Sequence, residues 1–124
     1  MKYTIGQFND SFTPVIDGVA TVVKNYALWL DKKHAKCCVV TPSCPGYTDN
    51  EEFDVLRYAS VPLPKRKFYR LGLPLAGYEK YKKITNIDFD LIHTHCPFSS
   101  GKLGYNIAKK KKYPSNCNFS FKIL

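Results

Sequence analysis

The spacing of apolar residues changes twice within the first forty residues, and this change limits the fold more than any other feature. Residues 2–8 form a β-prone segment with Tyr3 and Ile5 at alternate positions, which is typical of a strand. From Gly18 onwards apolar residues recur at helical spacing, at Val19, Val22, Val23, Tyr26 and Leu30. Residues 36–41 then form a mostly apolar run, as in a strand buried on both faces. Strand, helix and strand in this order predict a βαβ unit with a right-handed crossover.

The alternation of strands and helices continues along the chain. The pattern predicts a third strand over residues 53–58 and a helix over residues 75–85. A fourth strand is expected over residues 89–95, followed by a last helix from about residue 100 to the lysine run at 109–112. Residues 59–75, which are rich in proline, are expected to be irregular. The fold class is therefore α/β, with an open parallel sheet of Rossmann-like type.

Length, charge and cysteine content exclude several classes of protein. The chain has 124 residues, enough for one domain, and a formal net charge of +9, which favours anionic partners. Its apolar runs are shorter than the roughly 18–20 residues that span a bilayer. The first residues lead directly into a polar segment, so we expect no cleavable signal peptide. The five cysteines have neither disulfide nor zinc-finger spacing, so we expect reduced thiols and a cytoplasmic location.

The start of the first helix is one candidate site. In a Rossmann-like sheet, ligands bind beyond the carboxyl ends of the strands, and Asp17 and Gly18 lie there, between the first strand and the first helix. Exposed amides and the helix dipole at this point suit an anion, and glycine permits close approach of the backbone. The alternative is a simple turn with Asp17 as N-cap, because the sequence has no G-x-G-x-x-G motif.

The end of the fourth strand is the other candidate site. Residues two apart in a strand share a face, so His93 and His95 are expected to point together. Three interpretations remain open at this point. The two histidines and Cys96 could hold a metal, although a fourth ligand at the usual spacing is missing. They could be core histidines, or His95, nearest the loop, could be an active-site residue.

A stretch of basic and aromatic residues lies between the third strand and the second helix. Its cations are Lys65, Arg66, Lys67 and Arg70, which alternate with aromatic and apolar side chains. Most charged runs are solvated surface. This composition also suits adsorption to an anionic membrane or stacking on nucleic acid. No nucleic-acid-binding motif accompanies it, so membrane contact is the better functional interpretation.

Two segments resemble a known family, the family-4 retaining glycosyltransferases. Residues 12–21, FTPVIDGVAT, resemble the opening loop of this family, and residues 88–99, DFDLIHTHCPFS, resemble its strand-to-loop segment with histidine-x-histidine before proline. Order and spacing agree over residues 1–112. Within the family, the chain is most similar in appearance to bacterial diacylglycerol glucosyltransferases.

This resemblance implies the GT-B architecture, in which two Rossmann-like domains face each other across a cleft. The N-terminal domain mainly binds the acceptor, the C-terminal domain binds the nucleotide sugar, and no metal or other cofactor is required. Gly18 would lie beside the donor diphosphate, with Asp17 shaping the loop, and His93 would help to bind the substrate. His95 would line the sugar pocket near the reacting carbon, as the catalytic residue.

The implied partners are a nucleotide sugar, an acceptor such as a diacylglycerol-type lipid, and an anionic membrane surface, but no nucleic acid. The four cations Lys65, Arg66, Lys67 and Arg70 are the expected membrane contacts, at the inner face of the cell membrane. The second functional class that fits the sequence is a non-catalytic basic α/β module that binds an anionic membrane or a nucleotide.

The resemblance ends near Lys112, before the N-terminal domain is complete. The family continues with a buried strand, typically Ile-Ala-Thr-Phe-His-Ser, whereas residues 116–124 read NCNFSFKIL and are expected to form no regular structure. Codons that fit these residues also encode the family's strand in the neighbouring frame. We therefore expect residues 1–112 to be a partial acceptor-side domain and residues 113–124 an off-frame tail. We also expect the chain alone to be catalytically inactive.

Overall fold

A computed structural model of the chain describes residues 3–12, 18–33, 35–63, 66–95, 99–110 and 120–123. These residues form one mixed α/β unit with a main parallel sheet. The elements in chain order are β1 (Tyr3–Phe8), α1 (Gly18–Lys33), β2 (Ala35–Pro42), β3 (Asp54–Tyr58), β4 (Ser60–Leu63), β5 (Arg66–Gly72), a 3₁₀ turn (Pro74–Ala76), α2 (Tyr78–Thr85), β6 (Leu91–Thr94), α3 (Ser99–Lys110) and β7 (Ser120–Ile123).

The main sheet has the strand order β3-β2-β1-β6-β7, and all of its neighbouring strands run parallel. The chain steps from β1 outwards to β2 and β3, then returns across the sheet to β6 on the other side of β1. This order confirms the predicted Rossmann-like class. Its reversal at β1 places a crevice between the carboxyl ends of β1 and β6, where open α/β sheets bind their ligands.

The two faces of the sheet carry different helices and different cores. On the α1 face, the buried apolar side chains include Ile5, Val23, Ala27, Val39 and Phe53. On the face covered by α2 and α3, they include Phe8, Val40, Ile84, Ile92, Leu103 and Ile107. Each large apolar side chain that is fully buried contributes about 1.5–3 kcal/mol relative to exposure. Burial on both faces explains why β2 is apolar almost throughout.

The buried stripe of α1 differs from the one that the apolar pattern predicts. Its buried residues are Ala20, Val23 and Ala27, whereas Val22 and Tyr26 are close to half exposed. The small alanine side chains let the helix lie close to the sheet. Of the predicted apolar face, Val23 is buried and Leu30 packs against the core, as expected, whereas Val19, Val22 and Tyr26 lie outside the buried stripe.

Residues 60–63 and 66–72 form strands, in contrast to the irregular segment expected there. Strands β4 and β5 pair antiparallel in a separate two-stranded sheet, and Pro62 is accommodated because β4 lies at an edge. The prolines at positions 62 and 64 led to the expectation of an irregular segment. The following helix α2 begins at Tyr78, after the 3₁₀ turn, rather than at residue 75.

Strand β7 lies within the segment for which no regular structure was expected. Ser120–Ile123 pair parallel with β6, from Leu91 opposite Ser120 to Thr94 opposite Ile123. Phe121 and Ile123 alternate with Ser120 and Lys122, which is the pattern of a strand. Pairing with the edge of β6 uses backbone groups, so it places few demands on sequence. The interpretation of residues 113–124 as an off-frame tail stays a prediction.

Candidate functional site

The candidate site lies at the carboxyl ends of β1 and β6, which are neighbours in the sheet. Beyond β1 the chain continues into Asn9 and Asp10, and beyond β6 into His95. The backbone N–H of His95 donates to the carbonyl oxygen of Phe8 at 3.0 Å, so strand pairing extends one residue past β6. Polar side chains from two strand ends are thereby held at one edge of the sheet.

The two histidines of the motif lie side by side, as the strand period predicts. The ring centroids of His93 and His95 are 4.2 Å apart, with 41° between the ring planes. Tyr26 of α1 packs on both rings, with centroid distances of 5.8 Å to His93 and 6.1 Å to His95. The pair therefore faces α1. The substrate-binding role of His93 and the catalytic role of His95 stay predictions.

Gln7 is a site residue that the sequence analysis missed. Its side chain is 1% exposed, and its Oε1 lies 2.6 Å from Nε2 of His95, within hydrogen-bond distance. A signal was present in the sequence. Tyr3, Ile5 and Gln7 occupy successive positions on one face of β1, and the third of them is polar where an apolar residue is expected.

The imidazole of His95 is neutral over the physiological range of pH. Partial burial removes solvent from the ring and, together with the charge of the neighbouring His93, lowers its pKa from 6.5 to about 4. A neutral imidazole carries one N–H donor and one nitrogen acceptor, and Nε2 already lies within hydrogen-bond distance of Gln7, so Nδ1 remains for a further partner.

Asp10 links the end of β1 to the start of α3. Its Oδ1 accepts hydrogen bonds from the backbone N–H of Ser100 and the hydroxyl of Ser99, both at 2.8 Å, and from the hydroxyl of Tyr58 at 3.3 Å. A carboxylate at this position satisfies an N–H of the first helical turn and complements the helix dipole. No local sequence pattern predicts this role of Asp10, because its partners are 48, 89 and 90 residues away.

Tyr58, the last residue of β3, is the buried centre of this network. It is 0% exposed, and its hydroxyl also lies 3.1 Å from the hydroxyl of Ser99 and 2.5 Å from that of Ser100. Burial is the main reason why its pKa is raised above the usual value, so it stays protonated. Asp10, Tyr58, Ser99 and Ser100 thus join β1, β3 and α3, and are called the Asp10 network below.

An apolar cavity adjoins the Asp10 network. It has a volume of about 430 Å³ and lies between residues 72–76 and α3. Ser99 is part of its wall, and so are Lys102, Leu103 and Asn106 further along the helix. On the opposite wall, Leu73 and Leu75 are 40% and 76% exposed. The size is in the range of small-molecule sites, which typically enclose about 300–1,000 Å³.

Two glycines near the site have different reasons to be glycine. A Cβ at Gly72 would lie 2.4 Å from Cε2 of Tyr58 and 2.5 Å from Oγ of Ser99, so packing against the Asp10 network requires glycine. Gly18, the first residue of α1, is exposed, and a Cβ there would meet nothing within 4 Å. Packing within the described residues therefore does not explain Gly18.

Several predicted site residues lie outside the described part of the chain. These are Asp17, Cys96 and Lys65, together with the side chains of Arg66, Lys67 and Arg70, whose backbone is in β5. In the ranges that the structure describes, no group of three His, Cys, Asp or Glu side chains is placed to hold a metal. No helix in those same ranges is both long enough and apolar enough to cross a bilayer.

The sheet, its crevice and the polar residues at the strand ends define a Rossmann-like domain of the kind that binds ligands at its carboxyl edge. Comparison with known families gives this class a name. The sequence profile of Glycosyltransferase Family 4 matches residues 16–119, which is most of the chain. The chain belongs to glycosyltransferase family 4, as the resemblance of its two motifs implied.

Two curated relatives are both lipid-modifying enzymes by name. The chain is 31% identical over 111 residues to an alpha-monoglucosyldiacylglycerol synthase of Acholeplasma laidlawii, which covers 90% of this chain and 28% of that enzyme. It is 32% identical over 111 residues to an alpha-monoglucosyldiacylglycerol synthase of Streptococcus pneumoniae, covering 89% and 25%. The chain thus spans about a quarter of the length of these relatives. No solved structure matches it significantly.

Substitution of the two glycines by alanine should separate packing from function. Gly72→Ala should lower the free energy of unfolding by about 1–3 kcal/mol, because the added methyl group overpacks Tyr58 and Ser99. Gly18→Ala should leave it unchanged or raise it by up to about 1 kcal/mol, because the helical backbone there suits alanine. Urea unfolding of both variants measures the difference. Equal losses would contradict the assignment of Gly18 as a glycine that the fold does not need.

The lowered pKa of His95 should make stability depend on pH. Between about pH 6.5 and 4 the unfolded chain binds a proton on this residue and the folded chain does not, so acid favours unfolding. The free energy of unfolding should therefore fall as the pH is lowered through this window. Denaturation curves at several pH values give the free energy of unfolding as a function of pH. This free energy should fall less steeply with decreasing pH in His95→Gln than in the wild type. Parallel slopes would show that the ring is not desolvated.

Proposed function

We propose that this chain is the acceptor-side part of a glycosyltransferase that transfers a hexosyl group, with retention, from a nucleotide sugar to a diacylglycerol-type lipid. Membership of the family supports the reaction class. The names of the two relatives support a diacylglycerol-type lipid as the acceptor. The observation that carries the proposal is the apolar cavity beside the Asp10 network, because such a pair of surfaces suits an acceptor with both apolar chains and a hydroxyl.

The cavity and the polar site share a residue, which gives the acceptor an orientation. Ser99 lines the cavity and donates a hydrogen bond to Asp10 at the end of β1. An acyl chain held between residues 72–76 and α3 would leave the glycerol end near the polar strand ends. Leu73 and Leu75, both exposed beside the cavity, extend the apolar surface for the lipid.

The nucleotide sugar would approach the same carboxyl edge of the sheet from the face covered by α1. We assign Gly18 to the diphosphate, because an exposed glycine at the first turn of a helix allows close approach of backbone amides to an anion. Asp17 shapes that loop, and His93 and His95 line the sugar. The main electrostatic task in this reaction is to stabilise the departing diphosphate.

The basic segment before α2 would hold the chain at an anionic membrane. The formal net charge of +9 favours such a surface, and Lys65, Arg66, Lys67 and Arg70 are concentrated around β5. The chain spans about a quarter of the length of its relatives. We therefore expect it to bind lipid and membrane but not to catalyse glycosyl transfer alone.

Filling the cavity tests the proposed acceptor site. Titration of the chain with dioctanoylglycerol below its micelle concentration should shift NMR signals of Leu73 and Leu103. Ala76→Trp places a large side chain in the exposed cavity wall and should weaken binding by about tenfold or more. Lys109→Trp, which adds the same side chain near the far end of α3, is the control and should bind normally. Unchanged affinity in Ala76→Trp would rule out the cavity as the acceptor site.

Neutralising the basic segment tests the membrane contact. A variant with Lys65, Arg66, Lys67 and Arg70 all changed to Gln should bind vesicles containing anionic phospholipid at least about tenfold more weakly, since each cation near the surface contributes about 1 kcal/mol. The control is a variant in which four lysines elsewhere on the chain are changed to Gln, so that it loses the same net charge. These lysines are Lys32, Lys33, Lys36 and Lys109. Co-sedimentation compares the two. A similar loss in both variants would mean that net charge, rather than this segment, directs binding.

A further inference from the structure

Gln7 occupies a position where a polar side chain is costly. It lies in the central strand β1, opposite Val39 of β2 and His93 of β6, and on the same face as Ile5. At 1% exposure its amide has lost its water, and burying an amide without a hydrogen-bond partner costs about 1–3 kcal/mol by mutational measures. An apolar residue would fill this place in the core at no such cost.

The bond that compensates this cost is directed at His95. Oε1 of Gln7 and Nε2 of His95 are 2.6 Å apart. His93 and Tyr26 also face the ring of His95, at centroid distances of 4.2 Å and 6.1 Å. Packing by these two rings fixes where the imidazole lies, whereas the amide oxygen selects which ring nitrogen carries the hydrogen.

We propose that Gln7 is a positioning residue for His95: its Oε1 accepts the Nε2–H of the ring and so leaves Nδ1 as the ring acceptor for a hydroxyl group of the sugar. The proposed tautomer rests on the contact between Oε1 of Gln7 and Nε2 of His95 and is independent of the proposed function. The hydroxyl partner rests on the proposed function, because it requires that a sugar occupies the site.

The amide is suited to this task in a way that a carboxylate is not. A glutamate in place of Gln7 would also accept the Nε2–H, but its negative charge would favour the doubly protonated ring, which has no acceptor left. A neutral amide orients the ring and keeps its second nitrogen free to accept. The pair Gln7 and His95 thus selects a hydroxyl donor rather than an anion.

NMR of the imidazole nitrogens in the isotopically labelled chain tests the assignment without substrate. The signals of His95 are those lost in His95→Gln. We expect its ring hydrogen on Nε2, protected from exchange by Gln7. In Gln7→Leu, which removes the acceptor and retains an apolar side chain, exchange of this hydrogen should be about five- to tenfold faster. A ring hydrogen on Nδ1 in the wild type, or unchanged exchange in Gln7→Leu, would overturn the proposal.

Two further variants separate positioning from packing. Tyr26→Leu removes the ring that packs on both histidines but leaves the Gln7 amide in place, so the Nε2–H signal should persist. Gln7→Glu should raise the pKa of His95 by more than about one unit, since a carboxylate stabilises the imidazolium. An unchanged pKa in Gln7→Glu would show that residue 7 does not control the ring. If these results hold and dioctanoylglycerol fails to bind the cavity, the proposed function fails while the role of Gln7 stands.

Discussion

The central position of β1 is the constraint on which the rest of the structure depends. This strand pairs with β2 on one side and β6 on the other, and backbone bonds continue past its ends. At its start, Thr4 and Asp90 exchange bonds of 2.8 Å, one through the backbone of Asp90 and one through its carboxylate. At its other end, the N–H of Asn9 donates to the carbonyl oxygen of Val40 at 3.1 Å. The polar residues that follow β1 are therefore held against two neighbours at once.

Sequence periodicity was sufficient for four strands of the main sheet, β1, β2, β3 and β6, and insufficient for β7 and for the elements around the sheet. The two-residue period and the buried run of β2 predicted the parallel core, because both follow from burial on one or two faces. The hairpin β4–β5 was missed because proline usually interrupts strands, and here the strands lie in a separate two-stranded sheet that tolerates it. The inward face of α1 was misplaced because alanines, rather than the larger apolar residues, pack on the sheet.

The site shows a similar division between local and distant information. The pairing of His93 and His95 follows from the period of a strand, and the structure brings their rings together. Gln7 and Asp10 contribute through partners more than forty residues away, which no spacing rule relates to them. The sequence pattern of β3 indicates only that Tyr58 is a buried aromatic residue, whereas its hydroxyl is the centre of the Asp10 network. What remained hidden was the set of long-range hydrogen bonds that join separate strand ends.

Ser99 belongs both to the apolar cavity and to the Asp10 network. It forms part of the wall of the apolar cavity, and it is also the first residue of α3, tied to Asp10 at 2.8 Å. A movement of the first turn of α3 away from β1 would stretch the bonds from Ser99 and Ser100 to one carboxylate oxygen of Asp10. A ligand that fills the cavity would therefore contact the same helical turn that holds Asp10 at the end of β1. A substitution in this turn should therefore affect both the wall of the cavity and the position of the carboxylate beyond β1.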